Sequence, residues 1–148
     1  MEFAIEKVMA EKYPLFEDMV FWRQTGRERA PSAEPISRQI DHELCNPNLH
    51  LYAAKAQGRY VGWISLVYIP KVGKWGGRGH LYVDELWVAP ELRRQGIGTA
   101  LLAMADRMRT DLDATGIRLY VNVENPAARR LYEKCGFAES GQAHFMEK

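Results

Sequence analysis

A chain of 148 residues is long enough to bury its own hydrophobic core, and we expect one domain spanning residues 1–148. Hydrophobic residues make up 47% and charged residues 26%, as in ordinary globular proteins, and the formal net charge of +1 gives no reason to expect nucleic acid or a membrane as partner. Neither a spanning apolar run nor a signal peptide is evident. Cys45 and Cys135 lack metal or redox spacing, and the four histidines form no ligand pattern. We therefore expect a cytoplasmic protein with reduced thiols and no metal.

Apolar periodicity divides the first half of the chain into alternating helices, strands and loops. In order, the pattern predicts a strand over 3–8, a helix over 13–22, a loop over 25–35, a short helix over 36–44, and strands over 50–56 and 59–68. The last two strands are separated by Gln57-Gly58, which is typical of a hairpin turn.

The second half of the chain has the clearer boundaries. It predicts a glycine-rich connection over 69–79, a strand over 80–88, a helix with its apolar stripe from Ile97 to Met108, a strand over 117–123, a helix from Asn125-Pro126 to Gly136, and short strands from Phe137 and over 144–146. The order β-α-α-β-β-β-α-β-α-β-β is typical of an α/β (α+β) fold with a mixed sheet and helices on both faces.

The stretch Arg93-Arg-Gln-Gly-Ile-Gly98 lies between a predicted strand and a predicted helix. Its glycines allow a ligand to approach the backbone closely, and the free N–H groups of the first helical turn favour bound negative charge. Arg93 and Arg94 add guanidinium groups, which match phosphate geometry. We interpret the stretch as a phosphate or pyrophosphate cradle, although the glycines alone are equally consistent with a tight turn that binds nothing.

Two common phosphate-binding motifs do not fit this stretch. A dinucleotide fingerprint needs a small residue where Leu101 stands, and an acid at the end of the next strand, where Val121-Asn-Val123 stands. A Walker loop needs Gly-Lys-Ser/Thr, which is absent from the stretch. The stretch therefore matches neither of these two nucleotide-binding motifs.

Arg93–Gly98 resembles the acyl-CoA loop, Arg/Gln-x-x-Gly-x-Gly/Ala, of the Gcn5-related N-acetyltransferase (GNAT) superfamily. The preceding Asp84–Pro90 looks like that family's strand and turn. Downstream, Asn125–Phe137 matches its second motif, Asn-x-x-Ala-x-x-Leu-Tyr-x-x-x-Gly-Phe, at every defined position. The resemblance covers residues 80–148, and residues 1–79 agree only in element order. One departure is Arg94, where many relatives have Gly, so its side chain must point away from the phosphates or join them.

The resemblance implies a mostly antiparallel GNAT-type sheet and an enzyme that moves an acetyl group from acetyl-CoA to a primary amine by direct attack. It implies an acyl-CoA site made by backbone and side chains of Leu86, Trp87, Val88, Arg93, Arg94, Gln95, Gly96, Ile97, Gly98, Thr99, Asn125 and Tyr132. It also suggests a homodimer. The acceptor would be chosen by residues 13–46 and 69–79, whose mixed charges do not select one amine. The rival interpretation is a non-catalytic acyl-CoA-binding or interaction module of the same fold.

Three residues are candidates for the two proton transfers, one to a general base and one from a general acid. Tyr132 matches the family's candidate general acid, and a phenol of pKa about 10 is protonated at neutral pH, but a core tyrosine would have the same helical spacing. Strict strand alternation would turn Asp84 and Glu85 to opposite sides and leave only one of them in the cleft. The resemblance favours Asp84 as general base, with Glu85 second, because several family members have an acid at this position, two residues before the leucine that binds pantetheine. Either carboxylate can equally be a surface charge, and a water chain can also deprotonate an amine.

Overall fold

The protein is described by a computed structural model over residues 1–32 and 36–148. Its elements are β1 (Ala4–Lys7), α1 (Tyr13–Thr25), α2 (Arg38–Leu44), β2 (Leu49–Ala56), β3 (Arg59–Ile69), β4 (His80–Val88), α3 (Ile97–Asp111), β5 (Ile117–Arg118) and α4 (Pro126–Lys134). The loop predicted over 25–35 ends at 33–35, outside the described residues. No helix in the described ranges is long and apolar enough to cross a membrane.

The five strands form one mixed sheet in the order β1-β2-β3-β4-β5. The first three pairings are antiparallel, and β4 pairs with β5 in parallel. This confirms the predicted mostly antiparallel sheet flanked by helices. The parallel pairing consists of two residue pairs, Leu81 with Ile117 and Tyr82 with Arg118. From Val83 to Val88, β3 is therefore the one described strand that pairs with β4.

Helices α3 and α1 cover opposite faces of the sheet because successive strand residues point to opposite sides. On the α3 face, Leu101 packs in a buried cluster with Ile64 and Leu81. On the α1 face, Met19 and Trp63 belong to a second buried cluster. The hydrophobic core therefore consists of two layers, with β3 and β4 between them.

The strand predicted over 117–123 is much shorter in the structure. Only Ile117–Arg118 forms a ladder, and the side chains of Tyr120 and Val123 are 76% and 93% exposed. A strand needs a neighbour to satisfy its backbone groups. Because β4 has diverged by this point, the apolar alternation after Arg118 has no described strand to pair with.

The two short strands predicted after Gly136 are also absent from the described chain, which has no regular element beyond Lys134. The prediction was wrong because Glu139, Ser140, Gly141 and Gln142 supply no apolar face to bury. Phe145 and the next residue, a methionine, remain 88% and 84% exposed, so they form no core that could hold a strand in place.

Candidate active site

Strand β4 carries a β-bulge at Asp84. On β3, Ser65 pairs with Glu85 and the next residue, Leu66, pairs with Val83, so Asp84 is an extra residue without a partner. A bulge bends the strand and redirects side chains. The strict alternation that would send Asp84 and Glu85 to opposite sides therefore does not hold at this point of the strand.

The two carboxylates have different environments. Arg23 of α1 donates from Nη1 to Oε2 of Glu85 at 2.8 Å, and its guanidinium also lies 5.2 Å from the ring centroid of Trp63. Asp84 has no ion pair with any described residue. Asp84 is exposed, and partial loss of hydration, followed by the neighbouring Glu85 charge, raises the pKa of its carboxyl from the usual value. Glu85 is thus paired with a cation, whereas Asp84 has no described cationic partner.

The chain after β4 turns sharply into α3. Arg93 Nε donates to the Val88 carbonyl oxygen at 3.0 Å, which ties the loop to the strand end. Gly96 adopts φ +86° and precedes Ile97, the first residue of α3. No side chain caps this helix terminus, so its first N–H groups are free to bind an anion.

Arg94 has φ +62°, in the left-handed region that favours glycine. This conformation explains why glycine is suited to this position in the many sequences whose similar loop has Gly where this chain has Arg94. It also makes Arg94 a strained residue in a loop expected to bind phosphate.

Helix α4 forms the facing wall of the site, and its start follows the predicted capping signals. The Asn125 Oδ1 accepts from the Ala128 N–H at 3.1 Å, and Pro126 is the first helical residue. Helix α4 approaches the start of α3 closely, since a Cβ added at Gly98 would lie 3.0 Å from Cδ2 of Leu131. The second glycine of the loop therefore permits contact between the two helices.

Tyr132 lies in α4 and is half-buried, with its ring centroid 6.0 Å from that of Phe137 in an edge-on arrangement. Burial raises the pKa of the phenol above its usual value. The hydroxyl is therefore protonated at neutral pH, as a proton donor must be.

A cavity of about 490 Å³ lies between the end of β4, the loop and α4. Of the expected acyl-CoA residues, it is lined by Leu86, Trp87, Val88, Arg93, Arg94, Gly96, Ile97, Gly98, Thr99, Asn125 and Tyr132. Gln95, Asp84 and Glu85 do not line it. The cavity thus brings together the two sequence motifs, while the two carboxylates lie next to it on β4.

The sequence reasoning missed further lining residues: Leu92, Ala127, Ala128, Arg130, Leu131 and Lys134. The signal was available, because positions 127, 130, 131 and 134 repeat at helical spacing on one side of α4. No group of three or more His, Cys, Asp or Glu side chains in residues 1–32 and 36–148 is arranged to hold a metal ion.

Comparison with known proteins agrees with this geometry. The sequence profile of the Acetyltransferase (GNAT) family matches residues 14–137. The chain belongs to the GNAT acetyltransferase family. It is 30% identical over 132 residues to a spermidine N(1)-acetyltransferase of Vibrio cholerae, which covers 88% of this chain and 70% of that enzyme.

Other members of the family are longer or more distant. The chain is 29% identical over 102 residues to a mycothiol acetyltransferase of Pseudarthrobacter chlorophenolicus, covering 69% of this chain but only 31% of that protein. Among crystal structures, an aminoglycoside acetyltransferase from an uncultured soil metagenomic sample, in complex with trehalose, superposes with a TM-score of 0.81. That match has 19% identity and covers 99% of this chain and 95% of the other, so it shows the shared GNAT fold.

Replacing Arg94 tests the strain in the loop. Arg94→Ala and Arg94→Gly both remove the guanidinium, but only glycine adopts the left-handed conformation without a steric cost. We expect the free energy of unfolding, measured in urea, to be about 1 kcal/mol higher for Arg94→Gly than for Arg94→Ala.

The neighbouring position provides the matched control for this comparison. Arg93 has φ −69°, which any residue adopts, so Arg93→Gly should be less stable than Arg93→Ala. The same order of stability at both positions would contradict the strain at Arg94.

Proposed function

We propose that this protein is an N-acetyltransferase that moves an acetyl group from acetyl-CoA to a primary amine by direct attack in a ternary complex. The observation that carries the proposal is one cavity in which three features meet. These are the uncapped start of α3, the free edge of β4 and the hydroxyl-bearing side chain of Tyr132. Each suits a different part of an acyl-CoA molecule.

The start of α3 suits the pyrophosphate. Its free N–H groups and the helix dipole favour negative charge. Arg93 and Arg94 both line the cavity here, but the Arg93 guanidinium already donates to the Val88 carbonyl. We assign Arg94 the direct contact with phosphate and Arg93 the positioning of the loop.

The free edge of β4 suits the pantetheine arm, which contains amides. The segment Leu86–Val88 lines the cavity and is paired by β3 on its other edge. An extended chain with amides can hydrogen-bond to such an edge as a further strand would. A backbone N–H in this segment is also suited to polarise the acyl carbonyl.

The proposed proton transfers use residues on either side of this segment. Bound acetyl-CoA supplies an activated thioester. The Asp84 carboxylate accepts the proton of the incoming ammonium, and Glu85 is less suited because Arg23 already holds it. The Tyr132 hydroxyl, kept protonated by burial, donates to the departing sulfur.

An amine acceptor is supported by chemistry and by relationship. The Vibrio relative is named for acetylation of spermidine, a polyamine. An amine with a pKa of about 10.4 is an ammonium ion at neutral pH and must lose a proton before it attacks. Carboxylates beside the cavity are suited to this task.

Thiol release tests the proposed activity. We expect the protein to liberate free thiol from acetyl-CoA when a pooled panel of polyamines, amino acids, aminoglycosides and peptides is added. The control omits the amines and measures direct hydrolysis. Binding of acetyl-CoA without thiol release for any amine would favour the non-catalytic module instead.

Tyr132→Phe tests the general acid, because it removes the hydroxyl and keeps the ring that packs against Phe137. We expect turnover to fall by about 100-fold, with little change in the affinity for acetyl-CoA. Tyr120→Phe is the control, since that side chain is 76% exposed and does not line the cavity. Equal turnover of Tyr132→Phe and the wild type would exclude the role.

Asp84→Asn and Glu85→Gln distinguish the two carboxylates through the pH dependence of kcat/KM. A general base works when deprotonated, so the rate should rise with pH through the pKa of Asp84, which is raised above the usual carboxyl range. We expect Asp84→Asn to remove this acid limb. Glu85→Gln should keep the limb and move it to lower pH, because it removes the negative charge that raises the pKa of Asp84. An acid limb lost in Glu85→Gln and kept in Asp84→Asn would reverse the assignment.

A further inference from the structure

The cavity is lined by positively charged residues in addition to those of the proposed pyrophosphate site at the start of α3. Among the residues that the structure describes, four cationic residues line it and no carboxylate does. Arg93 and Arg94 belong to the loop, while Arg130 and Lys134 project from α4 on the facing wall. The cavity therefore has two separate cationic regions.

The two cations of α4 are spaced to act together. Arg130 and Lys134 are four residues apart, so their side chains leave the helix as neighbours on one face. Two like charges at this spacing destabilise a helix by a few tenths of a kcal/mol unless an anion lies between them. No ion pair links either residue to another residue in the described ranges.

On the side of α4 that faces away from the cavity, an arginine forms ion pairs with acidic side chains. Arg129 donates from Nε to Oε1 of Glu133 at 2.7 Å, and its Nη2 lies 3.4 Å from Oε2 of Glu139. Arg129 does not line the cavity. Helix α4 thus pairs its outer arginine with acids and leaves the two cations that face the cavity available.

We propose that Arg130 and Lys134 bind the 3′-phosphate of CoA and make the site selective for CoA over 3′-dephospho-CoA. This rests on the proposed use of acetyl-CoA. The ligand carries two anionic groups, a pyrophosphate and a 3′-phosphate monoester, and the cavity has two cationic regions. The α3 cradle and Arg94 serve the first, and the α4 pair serves the second through charge-assisted hydrogen bonds.

The test compares the dissociation constants of CoA and 3′-dephospho-CoA by calorimetry. The wild type should bind CoA about tenfold more tightly, as expected for charge-assisted contacts at an exposed site. In the double variant Arg130→Gln/Lys134→Gln, the two ligands should bind with nearly equal affinity. The dissociation constant for 3′-dephospho-CoA should stay at its wild-type value, which also shows that the variant is folded.

Arg129→Gln is the matched control, because it removes one positive charge from the same helix outside the cavity. It should retain the wild-type preference. Equal binding of the two ligands by the wild type, or a preference that survives in the double variant, would overturn the inference and leave the proposed function intact. Loss of the preference for CoA in Arg129→Gln would also overturn the inference. The preference would then depend on the total charge of α4 and not on Arg130 and Lys134. Failure of the wild type to bind either ligand would instead remove the proposed function on which the inference rests.

Discussion

Strand β4 loses its parallel partner after Tyr82, and the arrangement of the site depends on that separation. On one edge, β4 remains paired with β3 as far as Val88. On the other edge, the backbone N–H and C=O groups from Val83 onward have no strand to bind among the described residues. Free backbone groups beside a cavity are a binding surface for a ligand that contains amides. Helix α4 closes the far side of the gap, held near α3 by the contact between Gly98 and Leu131.

The aromatic residues of the α1 face keep the end of β4 rigid. The Trp87 ring centroid lies 5.8 Å from that of Trp22 and 5.3 Å from that of Trp63. Trp22 and Trp63 are buried and Trp87 is partly buried, and the contacts between the three rings fix the strand between helix and sheet. Arg23 crosses the same surface to reach Glu85. The bulge at Asp84 is therefore next to a firmly packed segment, which is where a redirected side chain can keep a defined position.

Much of this organisation could be predicted from the sequence, because it follows from local signals. The bounds of β4, the proline and asparagine at the start of α4, and the glycine turn before α3 depend on residues within a few positions of one another. The predicted alternation at Asp84 and the C-terminal strands depended instead on pairing with another strand. A bulge is a mismatch between two strands, and a strand without a partner does not form, so neither is visible in one segment. Arg130 and Lys134 were missed because the same sequence spacing fits a solvated helix face equally well.

The charges around β4 divide the site in a way that fits the proposed reaction. The described charged residues that line the cavity are all cations, whereas Asp84 and Glu85 precede its β4 wall. The donor of the proposed reaction is an anion, and the acceptor arrives as a cation. In that reaction, the cations that line the cavity would attract the donor, and the two carboxylates beside it would attract the acceptor. Beside the cavity, Arg23 pairs with Glu85, whereas no described cation pairs with Asp84, whose pKa is raised. In the proposed reaction, the cation that engages Glu85 would thus leave Asp84 as the proton acceptor beside the end of the cavity.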